Sequence, residues 1–371
     1  ALLFLTISTT QILFNFLIFL LLILSIILIF TLLINSEPLE PLQNCDNNEE
    51  LNVYCDFINP EDLALTPDGK FLIIAEFGGM APLAEIKPGK LSFFNIKEKV
   101  RTEAEILFKE NEWGSSNCSR ASGTEFGPHG IDLIKRNDGK FQLALVSHYP
   151  EETIEMFELK QNNGWMLEWK GCIKVENKYY FNDVSLDKAG NFYATHMFDS
   201  DFSLAEVVWN IVIKSNTGLV VKWNNGDFFE ELPFTAGSFP NGIALDKENN
   251  NLVVNYNLGD KSVLFDLDSQ KIIGTYTHNS PDNVVIRDKY VWVTNHDHAA
   301  TDTFKCSEVR NCTLPFSVNK LSLEDLSLIS SYKFQSENMG TGTVGLPHNG
   351  SLWIGSYHSD RLAEASLSIS E

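Results

Sequence analysis

The sequence predicts an all-β fold, a six-bladed β-propeller, preceded by an N-terminal hydrophobic helix. Three observations predict it. One pattern, a small polar pair, an alternating apolar strand, a turn and a second apolar strand, returns along the chain. Its copies recur at roughly 40 to 70 residues, the range of one propeller blade with variable loops. Aromatic residues make up 12% of the chain and turn clusters recur, a mixture that suits sheets better than helices.

The first copy runs Glu61-Asp62-Leu63-Ala64-Leu65, turns at Pro67-Asp68-Gly69 and returns through Phe71-Leu72-Ile73-Ile74. The second opens on His129-Gly130-Ile131-Asp132-Leu133 and turns at Asn137-Asp138-Gly139. The third opens on Asn182-Asp183-Val184 and turns at Gly190-Asn191. The fourth opens on Asn241-Gly242-Ile243 and the fifth on Asp282-Asn283-Val284. A fainter sixth runs Thr343-Val344-Gly345-Leu346, Asn349-Gly350, Leu352-Trp353-Ile354. Asp-Gly and Asn-Gly are strong hairpin signals, and each copy alternates as a strand between two environments does. A β-sandwich would also use hairpins, but it has no need of a polar pair opening every repeat. A propeller does, if those pairs start the innermost strands and ring the axial channel.

Residues 12–34 are almost entirely apolar, long enough for a bilayer-spanning helix. The chain therefore reads as a hydrophobic signal anchor or uncleaved signal helix over 1–35, a Pro-, Glu- and Asn-rich linker over 36–48, and a propeller over 49–371. No Lys or Arg precedes the run, so the positive-inside rule sets no orientation. Six cysteines include no Cys-x-x-Cys pair, which leaves a zinc or thioredoxin-type site without support. Cys306 and Cys312 can close a small loop, and Cys45–Cys55 and Cys118–Cys172 suit the rest, though spacing alone does not fix the connectivity. Sequons at Asn117, Asn311 and Asn349, behind a hydrophobic leader, favour a membrane-anchored protein with a lumenal or extracellular body, or a secreted one. The leader also makes a membrane or lipid surface an expected partner. A net charge of −21 argues against nucleic acid and suits a cation-binding protein.

Singly, the opening doublets are ordinary turn dipeptides. Radial symmetry would bring all of them to one axis. Carboxylates with amide oxygens and no thiols describe a site for a hard cation, and calcium accepts six to eight such oxygens in irregular geometry. Consecutive strand residues point opposite ways. Glu61 and Asn182 can thus reach one ion while Asp62 and Asp183 reach a second, deeper one.

With these residues in place, the chain after Asn44 resembles the paraoxonase (serum arylesterase/lactonase) family. The resemblance rests on Pro60-Glu61-Asp62-Leu63, Phe126-Gly127-Pro128-His129-Gly130-Ile131, Val146-Ser147-His148, Phe181-Asn182-Asp183-Val184, Phe239-Pro240-Asn241-Gly242-Ile243 and Pro281-Asp282-Asn283-Val284, in that order and spacing. It implies a calcium-dependent hydrolase of small-molecule lactones and aryl esters with two Ca2+ ions. The catalytic ion would be held by Glu61, Asn182, Asn241, Asp282 and Asn283. The structural ion would be held by Asp62, Asp183 and the main-chain carbonyl of Ile131. The resemblance also implies a catalytic dyad of His129 and His148, with Phe239 and His296 in the substrate pocket.

The chain departs from that family at its end. Paraoxonases join the N-terminal region to a cysteine near the C-terminus, and Arg361-Leu362-Ala363-Glu364-Ala365-Ser366 offers no partner to Cys45. Ring closure is then expected to rest on strand pairing alone, or to be arranged differently. Rival chemistry finds little here: there is no Gly-x-Ser-x-Gly and no P-loop. Gly340-Thr341-Gly342-Thr343-Val344-Gly345 matches the bare dinucleotide pattern, but Pro347 follows and too little chain remains for a strand–helix–strand unit. A gluconolactonase-like metal propeller needs neither the histidine pair nor two ions. A non-catalytic calcium-stabilised binding propeller needs no ligand set at the channel mouth.

Overall fold

The computed structural model describes residues 11, 13–21, 24, 25, 42, 44–82, 85–162, 164–176, 178–224, 226, 228–299, 302, 303, 306, 311–335 and 338–367. Six sheets, antiparallel but for one added strand in the second, follow one another along the chain, each built outward from an inner strand. The inner strands are Pro60–Leu65, Pro128–Lys135, Phe181–Leu186, Pro240–Asp246, Pro281–Arg287 and Gly342–His348. Each of the six sequence copies is one inner strand and its return partner. The six-bladed propeller is therefore the observed architecture.

Each blade buries apolar residues against the next. Ala144, Val146 and Ile154 of the second blade pack on Phe181, Val184 and Phe192 of the third. The last blade is completed from the other end of the chain. Leu51–Tyr54 pairs antiparallel with Leu362–Ser366, so strand pairing closes the ring. The Cys45–Cys55 disulfide lies beside that closing strand, and Cys118–Cys172 and Cys306–Cys312 are also joined. The second blade carries a fifth strand that the repeat pattern does not announce, Ile106–Phe108, parallel to Trp165–Lys174.

One device recurs in all six blades. The register between the inner strand and its partner breaks at the start, between Pro60 and Asp62, Pro128 and Ile131, Phe181 and Val184, Pro240 and Ile243, Pro281 and Val284, and Gly342 and Gly345. A bulge bends a strand and re-aims its side chains. Here it falls on the polar doublet in five blades and on Thr343-Val344 in the sixth. Two of these doublets end in glycine because the next inner strand comes too close for a side chain. A Cβ on Gly130 would lie 2.6 Å from the Cα of Asp183, and one on Gly242 would lie 2.5 Å from the Asp282 carbonyl oxygen.

Most of the apolar run 12–34 lies outside the described residues; within it, 13–21, 24 and 25 are helical. Among the described residues no helix is long and apolar enough to cross a membrane. Of the three sequons, Asn117 and Asn349 are exposed. Asn311 is 3% exposed, and its amide is engaged with the Leu42 carbonyl and the Asp360 N–H.

Candidate active site

The second residue of every inner strand faces the same cavity: Glu61, His129, Asn182, Asn241, Asp282 and Thr343. Its volume is about 240 Å³. The third residues Asp62 and Asp183 face a different chamber, at the other end of the axis. The Glu61-Asp62 and Asn182-Asp183 doublets therefore divide between two levels of the channel, as the alternation of a strand allows, whereas Asn283, also a third residue, turns to Glu61.

The upper ring is short of donors. Asn283 Nδ2 donates to Glu61 Oε1 at 2.8 Å, yet Glu61 Oε2 and the Oδ1 atoms of Asn182, Asn241 and Asn283 meet no hydrogen-bond donor. All four side chains are buried. A buried polar atom left unsatisfied costs about 1–3 kcal/mol. Here every orphan is an oxygen acceptor, and the set adds the carboxylates of Glu61 and Asp282. That is the donor set of a hard cation, and the ring residues fit calcium. Among the described residues no three His, Cys, Asp or Glu side chains form a metal cluster on their own, so the amides are essential to the fit.

Backbone supports hold the ring in place. Thr343 Oγ1 donates to the Glu61 carbonyl at 2.6 Å, Thr195 Oγ1 to that of Asn241 at 2.5 Å, and Asn255 Nδ2 to that of Asp282 at 2.6 Å. Burial, reinforced by Asp62 and Asp282, pushes the Glu61 carboxyl well above the usual range.

The lower pair is built differently. Asp62 accepts the Leu63 and Ile131 amides at 2.8 and 2.7 Å, and Asp183 those of Val184 and Ile243 at 2.7 and 2.9 Å. No carboxylate oxygen here is orphaned. Ile131 meets Asp62 through its N–H. Burial raises the Asp62 carboxyl to about 7 and moves Asp183 in the same direction. Among the described residues no lysine or arginine forms an ion pair with Asp62, Asp183 or Glu61.

The two histidines expected as a dyad meet: His129 Nδ1 is 2.9 Å from His148 Nε2. His148 Nδ1 lies 2.8 Å from both oxygens of Glu152. Burial, then the neighbouring His148, holds the His129 imidazole well below its ordinary pKa. Its Nε2 is 3.9 Å from Glu61 Oε1. On the opposite wall His296 Nε2 lies 3.1 Å from Asp282 Oδ2, and His296 stacks on His298 at 5.3 Å.

Phe239 and His296 both line the cavity, as expected. Phe239 has φ +52°, a left-handed backbone that an aromatic residue rarely adopts, immediately before Pro240. Sequence reasoning missed Glu152, His298, Thr343 and Tyr357. It also missed the helix Leu204–Ile213, whose Val207 and Ile211 form part of the apolar wall. A Ser-x-x-Glu capping box, Ser203 to Glu206, announces that helix and was available as a signal.

No curated protein matches the chain. Among solved structures, a luciferin-regenerating enzyme superposes with a TM-score of 0.51 at 12% identity, covering 86% of this chain and 96% of its own. That likeness shows the fold. A gluconolactonase from Xanthomonas campestris gives 0.48 at 10% identity, over 90% of this chain and 96% of its own. The arylesterase family model matches residues 47–296, which take in both histidines of the dyad, Glu152 and every ring residue but Thr343. This chain belongs to the arylesterase family.

Proposed function

We propose that the chain is a calcium-dependent hydrolase of lactones and aryl esters, a reading carried by one observation: the buried orphaned oxygens of Glu61, Asn182 and Asn241 meet the His129 imidazole in a single cavity, with that of Asn283 beside Glu61. Glu61, Asn182, Asn241, Asp282 and Asn283 would hold the catalytic ion, and Asp62 and Asp183, with Ile131, the structural one. Bound in the ring, calcium would polarise the substrate carbonyl and stabilise negative charge on its oxygen.

The chain's own residues do the rest. Phe77, Met80, Met197, Val207, Phe239 and Leu258 give the cavity an apolar wall for the acyl or aryl part of the substrate. His129 is neutral at pH 7, and its Nε2 removes a proton from water as the water oxygen bonds to the carbonyl carbon. His148 accepts a hydrogen bond from His129 Nδ1 and steadies the imidazolium. When the carbon–oxygen bond to the leaving group breaks, His129 returns the proton to the departing alkoxide of a lactone or phenoxide of an aryl ester. A lactone yields a hydroxy acid, an aryl ester an acid and a phenol. Residues 12–34 supply a membrane or lipid anchor in this reading, with the body lumenal, extracellular or secreted.

The direct test is hydrolysis of an aromatic lactone and of phenyl acetate with calcium and then with excess EGTA. Activity lost in EGTA and restored by calcium is expected. Hydrolysis indifferent to EGTA would refute the reading.

Stability should follow the same chemistry. The Asp62 carboxyl titrates near 7 in the folded protein and near 3.8 when unfolded. Without calcium, the folded state therefore holds a proton that the unfolded chain releases. The stability this confers is complete below the unfolded value and is lost as pH rises through about 7. Asp183 and Glu61 shift in the same direction. In EGTA, Tm should fall by about 5 °C or more between pH 5 and 8. In calcium, which binds the ionised groups, Tm should hold or rise. A pH-independent Tm in EGTA would contradict this.

A further inference from the structure

We propose that Glu152 is a positioning residue that sets the polarity of the histidine pair, so that His129 presents a bare Nε2 to the cavity. The inference rests on the reading of His129 as the base.

The argument is one of hydrogen counts. A neutral imidazole carries one N–H and one acceptor nitrogen. Both Glu152 oxygens lie 2.8 Å from His148 Nδ1, and a carboxylate only accepts, so that nitrogen carries the hydrogen. His148 Nε2 is then an acceptor. It faces His129 Nδ1 at 2.9 Å, so that atom must donate. His129 Nε2 is left with its lone pair.

Without Glu152 the opposite arrangement would open: the hydrogen of His148 could move to Nε2 and be donated to His129 Nδ1, leaving the hydrogen of His129 on Nε2, on the side of Glu61 Oε1 at 3.9 Å. A hydrogen there would occupy the lone pair that must take a proton from water. The 2.8 Å contact of Glu152 with His148 Nδ1 selects between the two arrangements.

The rings themselves have little freedom. His148 stacks on Tyr180 at 4.9 Å and 12°, with Phe77 edge-on at 6.3 Å. His129 stacks on Phe77 at 4.5 Å. Tautomer, and not ring orientation, is the variable that remains. Among the described ion pairs, Glu152 contacts only His148. Its backbone is held by a hydrogen bond from the Val175 N–H to its carbonyl at 3.2 Å.

The test is nitrogen-15 NMR of the full chain, with labelled histidine and saturating calcium, alongside kcat for phenyl acetate. In the native chain His129 should show a protonated Nδ1 and an unprotonated Nε2. In Glu152→Ala a hydrogen should appear on His129 Nε2, and kcat should fall in proportion to the share of the protein in that tautomer. Glu152→Gln, whose carbonyl oxygen still accepts, should keep the native pattern and most of the rate. If His129 keeps its Nδ1 hydrogen in Glu152→Ala, the proposal is overturned, whatever the rate does. If the tautomer reverses and the rate holds, Glu152 sets the polarity but His129 is not the base. Should the alanine variant fail to fold, Glu152→Met, apolar and of similar length, gives the same comparison.

Discussion

An Asn241→Ala variant is expected to lose calcium-linked stability and ester hydrolysis together, while its calcium-free stability holds or rises. The two effects have opposite signs because Asn241 contributes in only one state. Its Oδ1 is buried and meets no donor, so in the calcium-free protein it is a desolvated acceptor with nothing to accept from. Removing it relieves about 1–3 kcal/mol of that penalty. The side chain lines the cavity, so its loss widens an existing space and leaves no sealed void. With calcium the sign reverses. The ring loses a neutral oxygen ligand held in place by the Thr195 hydroxyl on its own main chain. A contact to a charged partner is worth about 1.5–3 kcal/mol, so calcium affinity should fall by about 10- to 150-fold. Thermal unfolding in EGTA and across a calcium titration checks both halves. Undiminished calcium stabilisation in Asn241→Ala would take Asn241 out of the ring, whatever happened to the rate.

The ring was legible in the sequence because symmetry repeats a local choice. Glu61, Asn182, Asn241 and Asp282 each open a copy of the same strand–turn–strand unit, and a propeller turns equal sequence positions into neighbours. The two-level division of Glu61 from Asp62, and of Asn182 from Asp183, followed from strand alternation. The cause of the doublets was less visible. The bulge at each inner strand and the close approach that demands Gly130 and Gly242 depend on the adjacent blade, which no single repeat contains. Glu152 was hidden for a similar reason. Its separation of four residues from His148 would suggest a helical pair, yet it acts across the turn between Phe141–Ser147 and Thr153–Gln161. The sixth copy was faint because Thr343 serves the ring by supporting Glu61 and carries no charge of its own. The strand that closes the ring, Leu51–Tyr54, carries no repeat signature. Its pairing with Leu362–Ser366 joins segments far apart in the chain, which no local pattern announces.

A His129→Gln variant separates the base from the ion. His129 contributes no oxygen to the ring, and its nearest ring contact is the 3.9 Å approach to Glu61. Calcium-linked Tm shifts should therefore match those of the native chain. Hydrolysis should not, because a general base contributes roughly 10²- to 10⁴-fold and glutamine cannot take a proton near neutrality. Glutamine is close in size and its amide can still donate to His148 Nε2, so collapse of the pocket would not explain the loss. The pH dependence adds a second check. Burial and His148 hold the His129 imidazole well below its ordinary pKa. The native rate should thus stay level from pH 8 down through 6.5 and decline only in more acidic solution, as Nε2 becomes protonated. That acidic limb should be missing from whatever rate remains in His129→Gln. Full activity in the variant would move the base elsewhere, and the cavity offers His296 beside Asp282 as the next candidate. Loss of the rate with the calcium response intact would place proton transfer on His129 and charge stabilisation on the ring, two functions carried by neighbouring inner strands.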